Sequence, residues 1–347
     1  MKIFAAESSC DESALAVFDS GRGVVAERVN TQIALHGQFG GVVPDLAARE
    51  HLANFPALLE DICRSVDPAE IDAVAVTRGP GLAGCLALGI AYARAVAAAW
   101  GKPIAAVNHL RGHLFSPFIP VHEEDPAAFP RRRAALFPHL GLVVSGGNTL
   151  LVAVDAECRV EILAQTVDDA AGEAFDKGAK LLGMPYPGGA LIEKQARLAR
   201  VRGTFAFPRG ENLRKGARFS FSGLKTSLRY RLEKMSDAEL AAALPEICAD
   251  YQDAIVAQLA GKTSAALRER RFASLGVSGG VSNNGALREA VAEIAAKSGI
   301  PLLAARPRHT GDNAAMIAFA AWFDAQLPPP ARALPVSFAP ALTIDVP

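Results

Sequence analysis

The segment NHLRGH places two histidines, His109 and His113, four residues apart. On a helix this spacing puts both imidazoles on one face, close enough to share a metal ion. Two unconnected surface or capping histidines would give the same pattern. Asp312, in the segment HTGDNAAM, is the best candidate for a third ligand, although aspartate is also favoured at helix N-termini for its own sake. Two histidines and one carboxylate leave coordination positions open, which is typical of a catalytic or ligand-binding metal.

Two glycine-rich turns could bind an anion. Ser145–Thr149, with the sequence SGGNT, lies between two predicted strands, and Gly279–Asn284, with the sequence GGVSNN, joins a strand to a helix. Each one alone is typical of an ordinary tight turn. Together they indicate a nucleotide site, because the helix offers its N-terminus to an anion and Asn284 could bond a sugar or a base. The glycines of Gly79–Gly84 are interpreted instead as packing of a buried helix against a sheet.

The elements that must position these residues follow one plan twice. Each copy begins with a predicted meander of three short strands: KIFAAE, ALAVF and VVAERVN in the first, and LGLVVSG, TLLVAVDA and RVEILAQ in the second. Helices and single strands follow each meander. Two such copies indicate an α/β fold of two lobes with a central cleft between the facing turns.

The predicted boundaries follow from this duplication. Lobe I covers residues 1–133 and is completed by a C-terminal helix at about 312–327, lobe II covers 134–311, and 328–347 form a tail. Pro120–Arg133, rich in proline and charge, is the candidate linker. Helices are expected at 44–65, 81–99, 169–183, 189–200, 222–234, 237–268, 283–298 and 312–326.

Composition limits the class of protein. Lys+Arg and Asp+Glu both total 36 in 347 residues, so the net charge neither favours nor excludes a polyanionic partner. The five cysteines form no CxxC pair, which favours a reducing compartment. The N-terminus turns polar at Glu7, too early for a signal peptide, and the apolar stretch Gly79–Ala93 is shorter than the roughly 20 residues of a membrane span. We therefore expect a soluble cytoplasmic protein that does not act at a membrane.

A series of motifs occurs in the order seen in one protein family: ESSCDES, GGVVPDLAAREH, TRGPGLAG, NHLRGH, VSGGNT, DDAAGEAFDK–AKLLGMPYPGG, SFSGLKT, GGVSNN–ALR and GDNAAMIA. With them the chain resembles the TsaD family, also called Gcp, of tRNA adenosine threonylcarbamoyltransferases. The archaeal and eukaryotic form of that family is the catalytic subunit of the KEOPS complex. The resemblance covers residues 1–327, and it implies the ASKHA fold shared by actin, heat-shock ATPases and sugar kinases.

The resemblance implies an activity and a set of site residues. The reaction moves the threonylcarbamoyl group of threonylcarbamoyl-adenylate to N6 of adenine 37, in tRNAs that read codons beginning with A. One iron or zinc ion is held by the residues that match His109, His113 and Asp312. The matching substrate contacts are Val143, Val144, Ser145, Gly146, Gly147, Asp176, Gly189, Glu193 and Asn284. The implied partners are TsaB- and TsaE-like proteins in bacteria and the other KEOPS subunits in archaea and eukaryotes.

Three positions depart from the family pattern. Asn148 stands where bacterial members usually carry histidine, matches the archaeal and eukaryotic branch, and is not interpreted as a metal ligand. Ala190 follows YPGG where proline is common, and the family varies at Glu193. None of these departures touches the three proposed metal ligands.

The implied chemistry needs a base but no metal-activated water. The attacking adenine amine must lose a proton, and Asp11 or Glu12 at the first polar turn could accept it, although turn capping or solvation explains either carboxylate equally well. Water would hydrolyse the mixed anhydride, so the site should exclude it. Three rival functions remain: a metallopeptidase, which would need the glutamate of HExxH, a phosphotransferase like the sugar kinases, and an ATP-binding scaffold without catalysis.

A basic segment could bind the RNA. Twelve basic residues and only two acidic ones lie between Lys194 and Lys234, which makes this segment +10 in a neutral chain. A solvated helical face would give the same composition. Since the segment flanks SFSGLKT and follows the YPGG loop, we predict that Arg214, Lys215 and Arg218 contact tRNA phosphates.

Overall fold

The structure, a computed structural model, describes residues 1–210, 218–325 and 336–347. Its strands are β1 (Lys2–Glu7), β2 (Glu12–Asp19), β3 (Gly23–Thr31), β4 (Ala73–Gly79), β5 (Ile104–Asn108), β6 (His139–Val144), β7 (Thr149–Val154), β8 (Val160–Thr166), β9 (Arg218–Phe219), β10 (Ser274–Ser278) and β11 (Leu302–Ala304). Its helices are α1 (Ile33–Gly37), α2 (Pro44–Cys63), α3 (Ala83–Trp100), α4 (His109–Phe115), α5 (Phe118–Glu124), α6 (Phe129–Ala135), α7 (Ala171–Leu181), α8 (Gly189–Ala196), α9 (Ser222–Leu232), α10 (Asp237–Glu269), α11 (Gly285–Ser298) and α12 (Ala314–Ala325).

The backbone contacts divide the chain into two compact units. Unit 1 comprises Met1–Leu136, Asp155–Val160 and Ala304–Pro347, and unit 2 comprises Phe137–Val154 and Glu161–Leu303. This division is based on contacts, and the lobe boundaries inferred from the sequence remain a prediction.

Unit 1 contains a five-stranded sheet in the order β3-β2-β1-β4-β5. The meander β1–β3 is antiparallel, whereas β4 and β5 run parallel to β1. Helices α2 and α12 both pack on β2. The interior residues of this strand are all buried, so buried and exposed residues do not alternate along it. Phe4, Leu15, Phe55 and Ile90 belong to the resulting core.

Unit 2 repeats this plan. Its sheet has the order β11-β10-β6-β7-β8-β9, with β6 antiparallel to β7 and parallel to β10. The meander followed by parallel strands is therefore present twice, and the predicted fold class is confirmed. Helix α10 packs on α8 and α11, and its buried Tyr251 donates a hydrogen bond to the carbonyl oxygen of Ala174 in α7.

Two segments differ from their sequence interpretation. Pro120–Arg133 is not an open linker: α5 and α6 occupy most of it, and Phe129 is fully buried against Phe319 and Trp322 of α12. Pro130 is tolerated because it stands in the first turn of α6, and Arg132 and Arg133 are favourable because they lie in its last turn. Helix α8 ends at Ala196, four residues before its predicted end.

Helix α3 is long and apolar enough to cross a membrane by length and composition. Among the residues that the structure describes, it is the one helix of 18 or more residues with that property. It packs on β4 and α2, with Cys85, Leu86, Ile90 and Ala93 buried. This contact pattern is that of a core helix.

Candidate metal and substrate sites

The helix that carries both histidines begins where β5 ends. The Asn108 side-chain oxygen accepts a hydrogen bond from the Leu110 amide at 2.9 Å and caps α4. All seven residues of α4 are buried. Gly112 allows the close packing of α4 on α12, because a Cβ there would lie 3.0 Å from Ile317 Cδ1. This packing brings His113 to the residues that precede α12.

The three predicted metal ligands converge in unit 1. One ligand atom each of His109, His113 and Asp312 lies within 4.8 Å of the other two. Asp312 Oδ1 is 3.1 Å from His113 Nε2 and 3.4 Å from His109 Nε2. Metal–ligand bonds of about 2.1 Å in tetrahedral geometry place neighbouring ligand atoms about 3.4 Å apart. Two imidazole nitrogens and a carboxylate oxygen arranged in this way can hold a metal ion.

A buried carboxylate orients the first histidine. Glu7 ends β1 with no exposed surface, and its Oε2 lies 3.1 Å from His109 Nδ1, while Ser9 Oγ lies 3.2 Å from the same nitrogen. A histidine that donates its Nδ1 proton to a carboxylate presents Nε2 to a metal, the usual arrangement behind a metal-bound histidine. For His113, Nδ1 is buried without a hydrogen-bond partner in the described part of the chain. The two histidines are therefore braced differently.

Electrostatics hold the cluster together. Burial opposes charge on every member, but the carboxylates of Asp312 and Glu7 outweigh it and raise the pKa of His109 well above its usual value. In return, against the same burial, His109 and His113 hold the pKa of Asp312 far below its usual range, and His109 lowers that of Glu7. A bound metal would take the place of the His109 proton, so metal binding should release a proton.

The two candidate bases lie near the cluster. Asp11 is buried with 7% of its surface exposed, and Glu12 is the first residue of β2, where its Oε1 accepts a hydrogen bond from Thr31 Oγ1 at 3.4 Å. Burial, followed by the charges of Asp312 and Asp11, raises the pKa of Glu12 to about 10. A cation held by the histidines would oppose the effect of Asp312. Because a carboxyl group with this pKa is protonated at neutral pH, Glu12 could act as a base only with such a cation bound. Asp11 stays a candidate by its position.

The SGGNT turn in unit 2 exposes backbone. The Ser145 amide donates to the carbonyl of Asn148 at 2.8 Å, and the Asn148 amide donates to Ser145 Oγ at 3.1 Å, which closes a tight turn between β6 and β7. Gly146 and Gly147 are exposed, and no heavy atom lies within 4 Å of the position that a Cβ would take at either residue. Val143 and Val144, in β6, are fully buried. A ligand can therefore approach the turn closely only at the two glycines.

Asp176 and Glu193, two of the other predicted substrate residues, each accept a hydrogen bond from a backbone amide. Asp176 Oδ1 accepts a hydrogen bond from the Gly188 amide at 2.7 Å, beside Gly189 at the start of α8. Burial raises the pKa of Asp176, against the hydrogen bonds from the Gly188 and Gly189 backbone. Glu193 Oε1 accepts from the Gly285 amide at 3.0 Å.

Asn284 is engaged at both ends of its amide. Its oxygen accepts from the Leu287 amide at 3.0 Å and caps α11, while its nitrogen donates to Gln252 Oε1 at 2.7 Å. The side chain fixes the start of α11, and a ligand contact at Asn284 could use the second Nδ2 proton or the second lone pair of the oxygen.

Of the three predicted RNA contacts, only Arg218 lies among the described residues. It is exposed on β9, where it lies opposite Gln165 of β8. Arg214 and Lys215 lie outside the described residues.

Sequence reasoning missed Glu7, Ser9, Asn108 and Arg111. Glu7 and Asn108 end β1 and β5, and the predicted strands alone did not show that β4 aligns both strands in parallel and brings their carboxyl ends to the same edge. That signal could have been found, because polar residues that end buried parallel strands are typical of ligand sites.

The duplicated α/β plan and the His/Asp cluster define a two-unit protein of the ASKHA class with a candidate metal centre. The family model described as "TsaD: tRNA N6-adenosine threonylcarbamoyltransferase" matches residues 23–319, and the chain belongs to this family. The resemblance read from the motifs is thereby confirmed.

Curated relatives agree over almost the whole chain. A tRNA N6-adenosine threonylcarbamoyltransferase of Anaeromyxobacter sp. (strain Fw109-5) is 47% identical over 325 residues, which are 92% of this chain and 93% of the relative. A protein of the same name from Pelobacter propionicus is 42% identical over 320 residues, 92% of this chain and 90% of the relative. These relatives are bacterial, although Asn148 matches the archaeal and eukaryotic pattern.

Solved structures show the fold alone. HypF of T. kodakarensis is 13% identical with a TM-score of 0.62, over 93% of this chain and 48% of that protein. Component A of the (R)-2-hydroxyglutaryl-CoA dehydratase of Acidaminococcus fermentans is 12% identical with a TM-score of 0.52, over 94% of this chain and all of that protein.

Proposed function

We propose that this protein transfers the threonylcarbamoyl group from threonylcarbamoyl-adenylate to N6 of adenine 37 in tRNAs that read codons beginning with A. The convergence of His109, His113 and Asp312 in a member of the TsaD family carries this proposal. The donor is a mixed anhydride with AMP as its leaving group, and the acceptor is an aromatic amine, a weak nucleophile. The reaction therefore needs a polarised carbonyl, a held leaving group and a proton acceptor.

His109, His113 and Asp312 would hold one iron or zinc ion. When bound, such an ion supplies Lewis-acid stabilisation of charge on the donor. The chain's own part is to fix the ligands: Glu7 orients His109, and Asn108 caps the helix that carries both histidines. No glutamate lies between the histidines, which fits a site that binds a donor and does not generate hydroxide.

The SGGNT turn would hold the adenylate. Gly146 and Gly147 are exposed, and the space that a Cβ would take at each is open, so the phosphate or ribose can approach the backbone without meeting a side chain. Asp176, Gly189, Glu193 and Asn284 would complete the nucleotide contacts, with Asp176 acting chiefly through the loop that it fixes at Gly188.

Asp11 or Glu12 would accept the proton that the adenine amine loses. Both carboxyl groups are carried by the segment from the end of β1 to the start of β2, and the charges of Asp312 and Asp11 both act on Glu12. A carboxylate near a developing ammonium offsets its charge and lowers the barrier to attack.

Rival functions have weaker support. A metallopeptidase would need a general base in the histidine motif, and the segment HLRGH has none. A sugar-kinase-like phosphotransferase or a non-catalytic ATP-binding scaffold would leave the buried His/Asp cluster and its carboxylate brace without a purpose.

The partners follow from the bacterial relatives. We propose that tRNA is the acceptor, that TsaB- and TsaE-like proteins assist the reaction in place of KEOPS-like subunits, and that the protein acts in the cytoplasm, where tRNA is modified. The five scattered cysteines, all free, agree with a reducing compartment.

The test is reconstitution with and without the histidines. Purified protein should carry about one iron or zinc ion per chain. With tRNA, threonine, bicarbonate, ATP, the adenylate-forming enzyme and the partner proteins, it should form the modified nucleoside. His109→Ala with His113→Ala should abolish both the metal and the product. His139→Gln is the matched control, because His139 is equally buried but bonds Ser274 in unit 2. Full metal occupancy in the double variant would refute the ligand assignment, and a metal-loaded wild-type protein that forms no product would refute the activity.

A further inference from the structure

The C-terminal segment packs along unit 1. Residues 336–347, named here the C-terminal strap, begin where Arg94 of α3 donates a hydrogen bond to the Val336 carbonyl at 2.6 Å. The Ala339 amide donates to the Arg78 carbonyl at 2.7 Å. The strap lies so close to the end of β4 that a Cβ on Gly79 would lie 1.9 Å from the Ala339 oxygen. Only glycine fits at this position while the strap is in place.

The strap then reaches the cap of the metal-ligand helix. Asn108, fully buried, donates its side-chain Nδ2 to the carbonyls of Thr343 at 2.8 Å and Val346 at 2.6 Å. The other end of the same amide accepts from Leu110 and caps α4. The two strap carbonyls therefore fix which way the amide points, and with it the start of the helix whose first residue is His109. Without them, Nδ2 would lose both of its protein acceptors on this side, and the amide could rotate away from its capping position.

A second residue of α4 is tied to the same strap. Arg111 lies between the two histidines with 2% of its surface exposed. Its Nε and Nη2 donate to both carboxylate oxygens of Asp324 in α12, at 2.9 and 2.8 Å, and its Nη1 donates to the Ile344 carbonyl at 3.5 Å. Ile344 is buried, so it anchors the strap beside this arginine. The helix is thus held from outside at its cap and at its centre.

We propose that the C-terminal strap is a positioning element of the metal centre, acting through Asn108 and Arg111 to fix α4. A helix of seven residues is too short to be stable by itself, so its orientation depends on such external bonds. Because metal affinity depends on how well the ligands are held in advance, loss of the strap should weaken metal binding while the sheet remains folded. This inference rests on the proposed function only for the identity of the ligands.

The experiment removes the strap contacts in two ways. Asn108→Ser keeps a capping oxygen for Leu110 but loses the amide that reaches the strap. Ser236→Ala is the control: it removes a side-chain cap from α10, which carries none of the three metal ligands. A chain that ends at residue 335 removes the strap itself. The zinc dissociation constant is measured by competition with a chelator. Hydrogen exchange of the α4 amides in the zinc-free protein provides a readout independent of activity.

We expect Asn108→Ser and the shortened chain to bind zinc about 10–100-fold more weakly than the wild type, with Ser236→Ala unchanged. Exchange should rise in α4 and stay low in β1 and β2. A synthetic peptide of residues 336–347 added to the shortened chain should restore zinc affinity, which a general loss of stability would not allow. Wild-type affinity and exchange in both variants would overturn the proposal while leaving the metal site intact. Zinc retained by the double histidine variant would refute the metal site itself.

Discussion

The His/Asp cluster of unit 1 and the SGGNT turn of unit 2 are two candidate binding sites of opposite construction. In the cluster, the proposed ligands are two buried histidines and the partly exposed Asp312, and His109 is held from behind by Glu7 and Ser9. In the turn, the proposed binding groups are the backbone amides of Gly146 and Gly147, and no heavy atom lies within 4 Å of the position that a Cβ would take at either residue.

This difference shows where each site is vulnerable. A metal needs several side chains fixed at once, so a change behind a ligand weakens it. A backbone turn needs empty space and a supported base. The support lies beneath: a Cβ at Gly172 of α7 would lie 2.6 Å from the Ser145 oxygen, and one at Gly279 would lie 2.2 Å from the Val144 oxygen. The four glycines thus have two different purposes, and substitutions should separate them.

The largest effect is expected from the carboxylates beside the metal cluster. If Asp11 or Glu12 is the general base, Asp11→Asn or Glu12→Gln should lower the transfer rate by about 10²–10⁴-fold, because the shape is kept and the proton acceptor is lost. Adenylate binding should stay nearly intact. Single-turnover transfer to tRNA measures the rate, and Asp45→Asn, an exposed residue of α2, serves as the control. Near-normal turnover in both variants would assign the proton to the substrate itself.

A smaller effect is expected at Glu7, which contacts the proposed ligand His109. Glu7→Gln keeps the size of the side chain but removes the charge that holds the His109 Nδ1 proton. Loss of such a partner typically weakens metal binding about 10–100-fold. Chelator competition measures the zinc dissociation constant, and Glu60→Gln, an exposed carboxylate paired with Arg64, controls for the lost charge. An unchanged dissociation constant would mean that His109 needs no brace, and the contrast with the glycine turn would lose its basis.

The glycines of unit 2 should fall into two groups, those that support the SGGNT turn and those that contact the adenylate. Gly279→Ala places a side chain at a φ of +86° and against the Val144 carbonyl, so it should lower the free energy of unfolding by about 1–3 kcal/mol. Gly147→Ala meets no neighbour, so stability should hold while binding of an adenylate analogue weakens by about tenfold, or 1.4 kcal/mol. Denaturant unfolding and calorimetric titration measure the two quantities. Equal loss of stability in both variants would contradict the division.

The sequence predicted the candidate metal ligands but not the residues that hold them in place. The His109, His113 and Asp312 set is a prediction that the geometry can accommodate, because i,i+4 spacing and a helix-start aspartate leave few arrangements. The braces were not predicted, since Glu7 and His109 are 102 residues apart and meet only through strand order. The meander plan was predictable from short apolar runs separated by turns. Pro120–Arg133 was interpreted wrongly because its composition is typical of a linker, although its apolar face is buried. Likewise, nothing in residues 328–347 signalled the contacts that the strap makes with Asn108.

The smallest effect is expected at the RNA surface. Arg218 is the one predicted phosphate contact among the described residues, and its side chain is exposed at the edge strand of unit 2. Arg218→Glu should weaken the binding of all substrate tRNAs alike, because a phosphate contact does not distinguish bases. It should also reduce the slope of log K against log salt by about 0.7, the value for one single-strand phosphate. Arg159→Glu, an exposed change of the same charge in unit 1, is the control for net charge. Fluorescence anisotropy at several salt concentrations measures the slope, and zinc and adenylate binding should not change in either variant. If the two variants have the same slope as the wild type, the tRNA lies on another surface. If both slopes fall together, the effect is that of net charge, and the comparison between a preformed cluster and an open loop does not extend to the RNA.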